Sequence, residues 1–435
     1  MSFPRYPKYK DSGVEWAGKV PTHWEVWKLA HAFTRIGSGT TPRTDNRDYY
    51  DYGEVPWINT GDLNDGELDD CEKRVTALAI SDHTALKTYP AGSLVIAMYG
   101  ATIGKLSVMR FSATVNQACC VFSKPSAIIP KFLFYWFLGL RRRILSLATG
   151  GGQPNISQDI LRTLRVACPN EDEQTCIVAF LDRETAKIDE LIAEQQRLIE
   201  LLKEKRQAVI SHAVTKGLNP NAPLKPSKIS WAGCIPRHWE VRRLSSVLGF
   251  QPGKAHEPYI DDDGEFICVN SRFVSTEGMS RKRCSKNLSP AQRNDILMVM
   301  SDLPNGRALA KAYFVADDGP YAVNQRVCAL SAREDSPRFL FHLLNRNPYF
   351  LGYDDGINQT HLPNAAFTKF QAPIPPVAEQ ADIAEFIDRR IGEFDGLAAE
   401  AQHIIDLLQE RRITLISAAI TGQIDVRGPA ERKAA

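Results

Sequence analysis

The chain has 435 residues, a formal net charge of +2, and 43% hydrophobic and 24% charged residues, a composition of soluble globular protein long enough for several domains. No apolar run reaches the roughly 18 residues that a membrane span needs, and the first residues lack the apolar centre of a signal peptide. The nine cysteines contain no C-x-x-C pair and read as free thiols of a cytoplasmic protein.

Taken in chain order, the first patterned stretch is WAGKVPTHWEVWKL (16–29). It returns as WAGCIPRHWEVRRL (231–244), with nine of the fourteen positions identical. GSLVIAMYG (92–100) and DILMVM (295–300) are short apolar runs bounded by turn residues, which predicts buried strands. VNQACCVF (115–122) returns as VNQRVCAL (323–330). PKFLFYWFLGLRRRIL (130–145) and PRFLFHLLNRNPYF (337–350) suit helices that start at proline. A long helical stretch opening EQTCIVAFLDRE (173–184) returns as EQADIAEFIDRR (379–390). The offset between copies drifts from 215 through 208 to 206, so two tandem copies of a globular domain, each followed by a helix, have diverged through loop insertions and deletions.

These patterns predict α/β (α+β) domains over 1–170 and 219–375, with a linker over 217–228 whose prolines support neither strand nor helix. Helices are predicted over 171–218 and 376–424, followed by a flexible tail over 425–435. A heptad register places Ile177, Leu181, Ile188, Leu191, Leu198 and Leu202 on one seam. Ile383, Ile387, Phe394, Leu397, Ile404 and Leu408 form the second, and Phe180 and Phe386 widen the stripes. Helices of this length span ~66 Å, too long for packing elements of a small domain, so they read as coiled-coil spacers. Charge follows the same division. Residues 1–170 carry +5, 171–218 carry −3, 219–375 carry +4 and 376–435 carry −4, so two basic lobes alternate with acidic helices.

Signals for catalysis are weak. GATIGKL (100–106) is one residue short of a phosphate loop and lacks its Ser/Thr, so a strand turn is the better reading. NPYF (347–350) lacks the second proline of an adenine-methyltransferase motif and reads as a helix end. His23 and His238 sit beside Trp24 and Trp239 in the repeated phrase and suit packing and hydrogen bonding rather than metal ligation.

Two basic lobes instead suit a polyanion engaged at two places. Side chains able to read base edges gather in loops at equivalent places of both copies. In the first copy these are GSGTTPRTDNR (37–47), Asn59 and Thr60, Lys105, and Gln153, Asn155 and Ser157. In the second they are Asn270, Ser271 and Arg272, then Asn305 and Arg307, then Gln359, Thr360 and His361. The runs Arg141, Arg142, Arg143 and Arg281, Lys282, Arg283 suit phosphate contacts, since consecutive cations track a backbone.

The duplicated phrase, the Asn116-Gln117 and Asn324-Gln325 pairs and the EQ openings of both helices together resemble the DNA-specificity subunit of type I restriction–modification systems, over essentially the whole length. The resemblance implies a non-catalytic protein in which each target-recognition domain reads one half of a split, asymmetric site in double-stranded DNA. It implies that the two long helices pack antiparallel, set the unread spacer and dock two modification subunits. S-adenosylmethionine, ATP and magnesium then belong to the modification and restriction subunits, with no cofactor or metal in this chain. It also puts Thr41 and Arg43 near DNA, with Gly39 and Pro42 shaping their loop. The Asn-Gln pairs fit either DNA contact or a structural role. A scaffold without DNA readout and a fused methyltransferase–endonuclease are the competing readings; the second has no cofactor loop or nuclease centre to support it.

Overall fold

The computed structural model describes residues 3–14, 16–149, 154–303 and 308–428. The chain divides into two compact units, Met1–Gln196 with His403–Ala435, and Arg197–Gln402. The division therefore cuts across the sequential segments: each unit holds one globular copy together with half of each long helix.

In the first unit a five-stranded sheet runs Phe33–Gly37, Cys119–Pro125, Leu94–Ala97, Leu106–Met109, Glu67–Leu68, antiparallel except for the last pairing. A smaller sheet pairs Val55–Ile58 with Arg74–Val75 on one side and, in parallel, with Thr114–Val115 on the other. The second unit repeats the plan with four strands, Leu248–Pro252, Val327–Ala332, Ile296–Val299 and Ala312–Phe314. Its small sheet is Lys282–Cys284, Phe266–Val269 and Tyr321–Val323. The Leu94–Ala97 and Ile296–Val299 strands are wholly buried, as apolar runs without alternation require. Each copy also closes on itself. Glu25–Lys28 pairs with Arg165–Cys168, and Glu240–Arg243 with Gln371–Ile374, so the start of a domain is zipped to its end, just before a long helix.

The repeated phrase grips that helix. Trp24 Nε1 donates to Glu173 Oε1 at 3.1 Å and His23 Nε2 lies 2.8 Å from Oε2. Trp239 and His238 hold Glu379 at the same distances. The neighbouring Gln174 donates to the Pro169 and Ala127 carbonyls and accepts from the Ile129 N–H. Gln380 matches it with Pro375, Asp335 and Ser336. Both histidines are thus hydrogen-bonding groups, and HW and EQ are two halves of one clamp.

The helices run Glu171–Lys216 and Val377–Ile420 without interruption. Within each unit their halves lie antiparallel, Arg412 meeting Asp189 at 2.8 Å in one and Arg206 meeting Asp395 at 3.6 Å in the other. The heptad holds at Ile177, Leu181, Ile188, Leu202, Ile383, Ile387 and Phe394, all buried, and fails elsewhere. Ile177, Ile188, Ile199 and Ile210 are buried, as are Ile383, Phe394, Ile405 and Ile416. Leu191, Leu198, Leu397 and Ile404, placed on the seam by the heptad, are 45, 42, 50 and 37% exposed. One buried row in each helix thus recurs every eleven residues, or 3.67 per turn, close to the 3.6 of a relaxed helix, and along it a seven-residue register drifts off the contact.

Two further expectations need correction. The proline-rich linker contains a strand, Leu224–Pro226, paired with Cys234–Pro236; a two-stranded edge tolerates proline because its missing N–H can face outward. The tail does not begin at residue 425, because Asp425 and Arg427 are buried. The Asp425 N–H donates to the Pro4 carbonyl, and Arg427 pairs with Asp425 and lies 4.9 Å over the Tyr6 ring.

Candidate nucleic-acid interface

The Asn-Gln turn joins the small sheet to the large one in each copy, and four loops converge on it. In the first unit the Gly39 N–H donates to the Asn116 carbonyl, the Asn116 N–H to Ile58, the Met98 N–H to Ala118 and the Ile156 N–H to Met98. In the second the Gly253 N–H donates to Val327, the Asn324 N–H to Val269, the Met300 N–H to Arg326 and the Leu362 N–H to Met300. The loops containing Thr41, Asn59, Lys105 and Asn155 therefore meet at one hub, and their counterparts meet at another. Glycine permits the first contact: a Cβ on Gly39 would lie 1.6 Å from the Val115 carbonyl oxygen, and one on Gly253 2.1 Å from that of Asn324.

The asparagines build the hub. Asn116 donates to the Asn59 side chain and accepts from the Ala118 N–H. Buried Asn324 accepts from the N–H groups of His256 and Gln325 and donates to Glu257. The glutamines beside them, Gln117 and Gln325, are exposed.

Around this frame the candidate side chains separate. Asn59 donates to the Trp57 carbonyl, Ser157 and Asn270 cap the helices Gln158–Thr163 and Ser271–Ser275, and Thr360 is buried on Asp354. The Ser271 hydroxyl is buried without a hydrogen-bond partner among the described residues. Asn59, Ser157, Asn270 and Thr360 thus have hydrogen bonds within the fold. Thr41 donates to Gln117, and exposed Arg43 pairs with Asp45 at 2.7 Å, which holds that carboxyl below its ordinary range. Asn155 pairs its backbone with Thr149, Gln359 donates to Ser301, and His361 is exposed on the strand Thr360–His361. Thr60 is half-buried, while Lys105 and Arg272 are exposed. Gln153, Asn305 and Arg307 lie outside the described residues.

The arginine triplet is placed elsewhere. Arg141 is bound by both its terminal nitrogens to Asp65, and Arg143 donates to the Trp16 carbonyl at 3.1 Å. The run borders a groove shared with Asp406 and Glu410 of the C-terminal helix; Arg142 and Arg143 are exposed, as a phosphate contact requires, while Arg141 is half-buried. In the second run Arg281 and Arg283 donate to the Gly278 and Gly264 carbonyls, and Lys282 is exposed.

Two equivalent loop hubs on a duplicated scaffold accord with what a family comparison finds: the type I restriction modification DNA specificity domain matches residues 21–201 and 236–401. The chain belongs to the type I restriction–modification specificity-subunit family. It is 22% identical to the MjaVIII specificity subunit of Methanocaldococcus jannaschii, over 94% of this chain and 95% of that one. To the StySPI specificity subunit of Salmonella potsdam it is 21% identical, over 95% and 92%. The match to the MjaIX specificity subunit of M. jannaschii, at 23% identity, spans 57% of this chain and only 56% of the relative. Among solved structures, a chain of a type I R-M system, solved for its complex assembly and conformational transition, superposes with a TM-score of 0.72 at 15% identity, covering 92% of this chain and 98% of that one. The HsdS subunit of Thermoanaerobacter tengcongensis superposes at 0.53 and 16%, covering 93% and 98%.

In this specificity subunit the hub also gathers residues that sequence reasoning passed over. Arg326 follows the second Asn-Gln pair and is exposed, as is Lys254 beside the Gly253 contact. Glu257 opens the one-turn helix Glu257–Tyr259. A hydrogen bond from Asn324 outweighs partial desolvation and holds its carboxyl below the ordinary range. The signal was present: each lies within a few residues of a duplicated Gly or Asn-Gln pair.

Proposed function

We propose that this specificity subunit reads a two-part DNA site, each hub taking one half, and that it has no catalytic centre of its own. The observation that carries the reading is the pair of equivalent hubs, alike in backbone and unlike in side chains, since two different half-sites require one scaffold carrying different readers. The exposed Lys105, Arg142, Arg272 and Lys282 would supply phosphate contacts.

The uninterrupted helices set the number of unread base pairs. Their outward apolar positions dock two modification subunits, because exposed Leu191, Leu198 and Leu201 have the equivalents Leu397, Ile404 and Leu407, and large apolar groups left in water at matching places mark interaction surfaces. S-adenosylmethionine is carried by those partners, and ATP and magnesium by restriction subunits. Mapping methylated adenines across the genome of cells carrying the modification subunits tests the reading. A single two-part motif is expected with this chain and none without it. Methylation that is unchanged by removal of the chain would sink the reading, as would methyl transfer by the purified chain alone.

A further inference from the structure

Resting on that reading, we propose that Arg326 and Glu257 set the base sequence read by the second recognition domain, and that Arg47 occupies the place of Glu257 in the first. The argument compares one scaffold with itself. Both copies keep the Gly approach, the Asn-Gln turn, and a one-turn helix, Arg47–Tyr49 in one and Glu257–Tyr259 in the other, placed alike because the Tyr49 carbonyl accepts from the Thr76 N–H and the Tyr259 carbonyl from the Ser285 N–H. What the copies share cannot distinguish two half-sites; what differs at equivalent, exposed positions can.

Two equivalent positions differ in charge, both of them exposed in the second copy. The residue opening the one-turn helix is Arg47 in the first copy and Glu257 in the second, both exposed. The residue two places after the hub asparagine is Ala118, buried, in the first copy and Arg326, exposed, in the second. The Arg326 guanidinium makes no hydrogen bond or ion pair among the described residues, whereas its carbonyl is fixed by the Met300 N–H at 2.8 Å. The backbone is anchored and the fork is available.

The chemistry of each group names what it meets. A carboxylate facing a polyanion is repelled unless it finds a donor, and the donors on base edges in the major groove are the amino groups of cytosine and adenine. Glu257 is held in place by Asn324 Nδ2 at 3.0 Å and, when ionised, only accepts. Arg326 and Arg47 present the planar fork that matches the two acceptors of guanine. Gln117 and Gln325, identical in both copies, are then contacts common to both half-sites.

The test uses the full complex in cells, with methylated adenines mapped genome-wide for Glu257→Gln, Arg326→Ala, Arg326→Lys and Arg47→Ala. Changes at Glu257 and Arg326 are expected to relax one base pair each in the same half-site, with discrimination there falling ~10-fold or more. Arg47→Ala should relax a position in the other half-site only, and the spacer should not change. Arg326→Lys keeps the charge but loses the fork, so it too should relax its position. An unchanged motif overturns the proposal, as does relaxation in both halves. Full restoration of the motif by lysine where alanine abolishes methylation would make Arg326 a phosphate contact and overturn its role. A wild-type chain that yields no two-part motif would instead overturn the function on which this rests.

Discussion

Glu173 accepts from Trp24 and from Tyr6, the latter at 2.7 Å, and lies against His23, with 7% of its surface exposed. Burial and this carboxylate together push the Tyr6 hydroxyl far above its ordinary range. Glu173→Ala would strand two buried donors, at ~1–3 kcal/mol each. Glu379, whose side chain is 29% exposed, lets water replace it. Calorimetry should therefore show Glu173→Ala lowering stability by ~2–4 kcal/mol and Glu379→Ala by clearly less; equal losses would contradict the burial argument. A second residue-scale difference is at Asp388. It is gripped by Arg338 and by buried His342 at 2.8 Å, where the first unit uses Lys131 and Tyr135 on Asp182. Burial depresses His342 below its ordinary value of 6.5. The unfolded chain therefore takes up a proton near that pH which the folded chain refuses, and stability is lost as pH falls below it, at up to ~1.4 kcal/mol per pH unit. Burial alone would raise Asp388, yet bonds from His342 and Arg338 hold it at about 2, so its contribution is lost only in stronger acid. His342→Tyr, which copies the first unit, should flatten the unfolding profile between pH 7 and 5 and leave the acid limb in place.

At the scale of elements, each tryptophan of the repeated phrase marks where one long helix begins and the other ends. Gly217 and Gly422 follow the two helices with φ of +72° and +69°, the left-handed conformation in which glycine closes a helix. A Cβ on Gly422 would come within 2.4 Å of Pro21 and 3.2 Å of Trp24, while one on Gly217 would meet Glu379 at 3.1 Å and Trp239 at 3.2 Å. Either alanine costs ~1–2 kcal/mol in backbone strain. Gly422→Ala adds an overlap with a rigid ring, whereas at Gly217 the flexible Glu379 can yield. A lower unfolding midpoint for Gly422→Ala than for Gly217→Ala is expected, and the reverse order would show that the Pro21 contact relaxes freely. By contrast Arg412→Ala should change stability by under ~1 kcal/mol, as its pair with Asp189 is open to water.

Over the whole molecule, the matched outward leucines make a stoichiometric prediction. Leu201 and Leu407 are 44 and 51% exposed at equivalent places on the two helices. Aspartate at either should reduce the modification subunits co-purifying with the chain from two to one, and aspartate at both should leave none; loss of both partners from one substitution would show that docking is not paired. DNA affinity of the assembled complex should fall steeply with salt, since phosphate contacts release counterions.

The sequence carried the repeat, the fold class, the helix positions and the family, because each rests on local periodicity or on a phrase written twice. The clamp partners were visible too, as HW and EQ, but not the fact that they meet, since 150 residues separate His23 from Glu173. The eleven-residue seam was hidden because leucines at Leu191 and Leu198 satisfy a heptad equally well in one dimension; only packing shows which side faces the partner helix. The candidate site divided in the same way. Loops rich in polar side chains could be found by composition, but a side chain's duty depends on where its hydrogen bonds go, and that is a three-dimensional property. Asn59, Ser157 and Asn270 have the residue types of base readers and are used by the fold, whereas Arg326, one residue past a duplicated Asn-Gln pair, stands exposed at the hub.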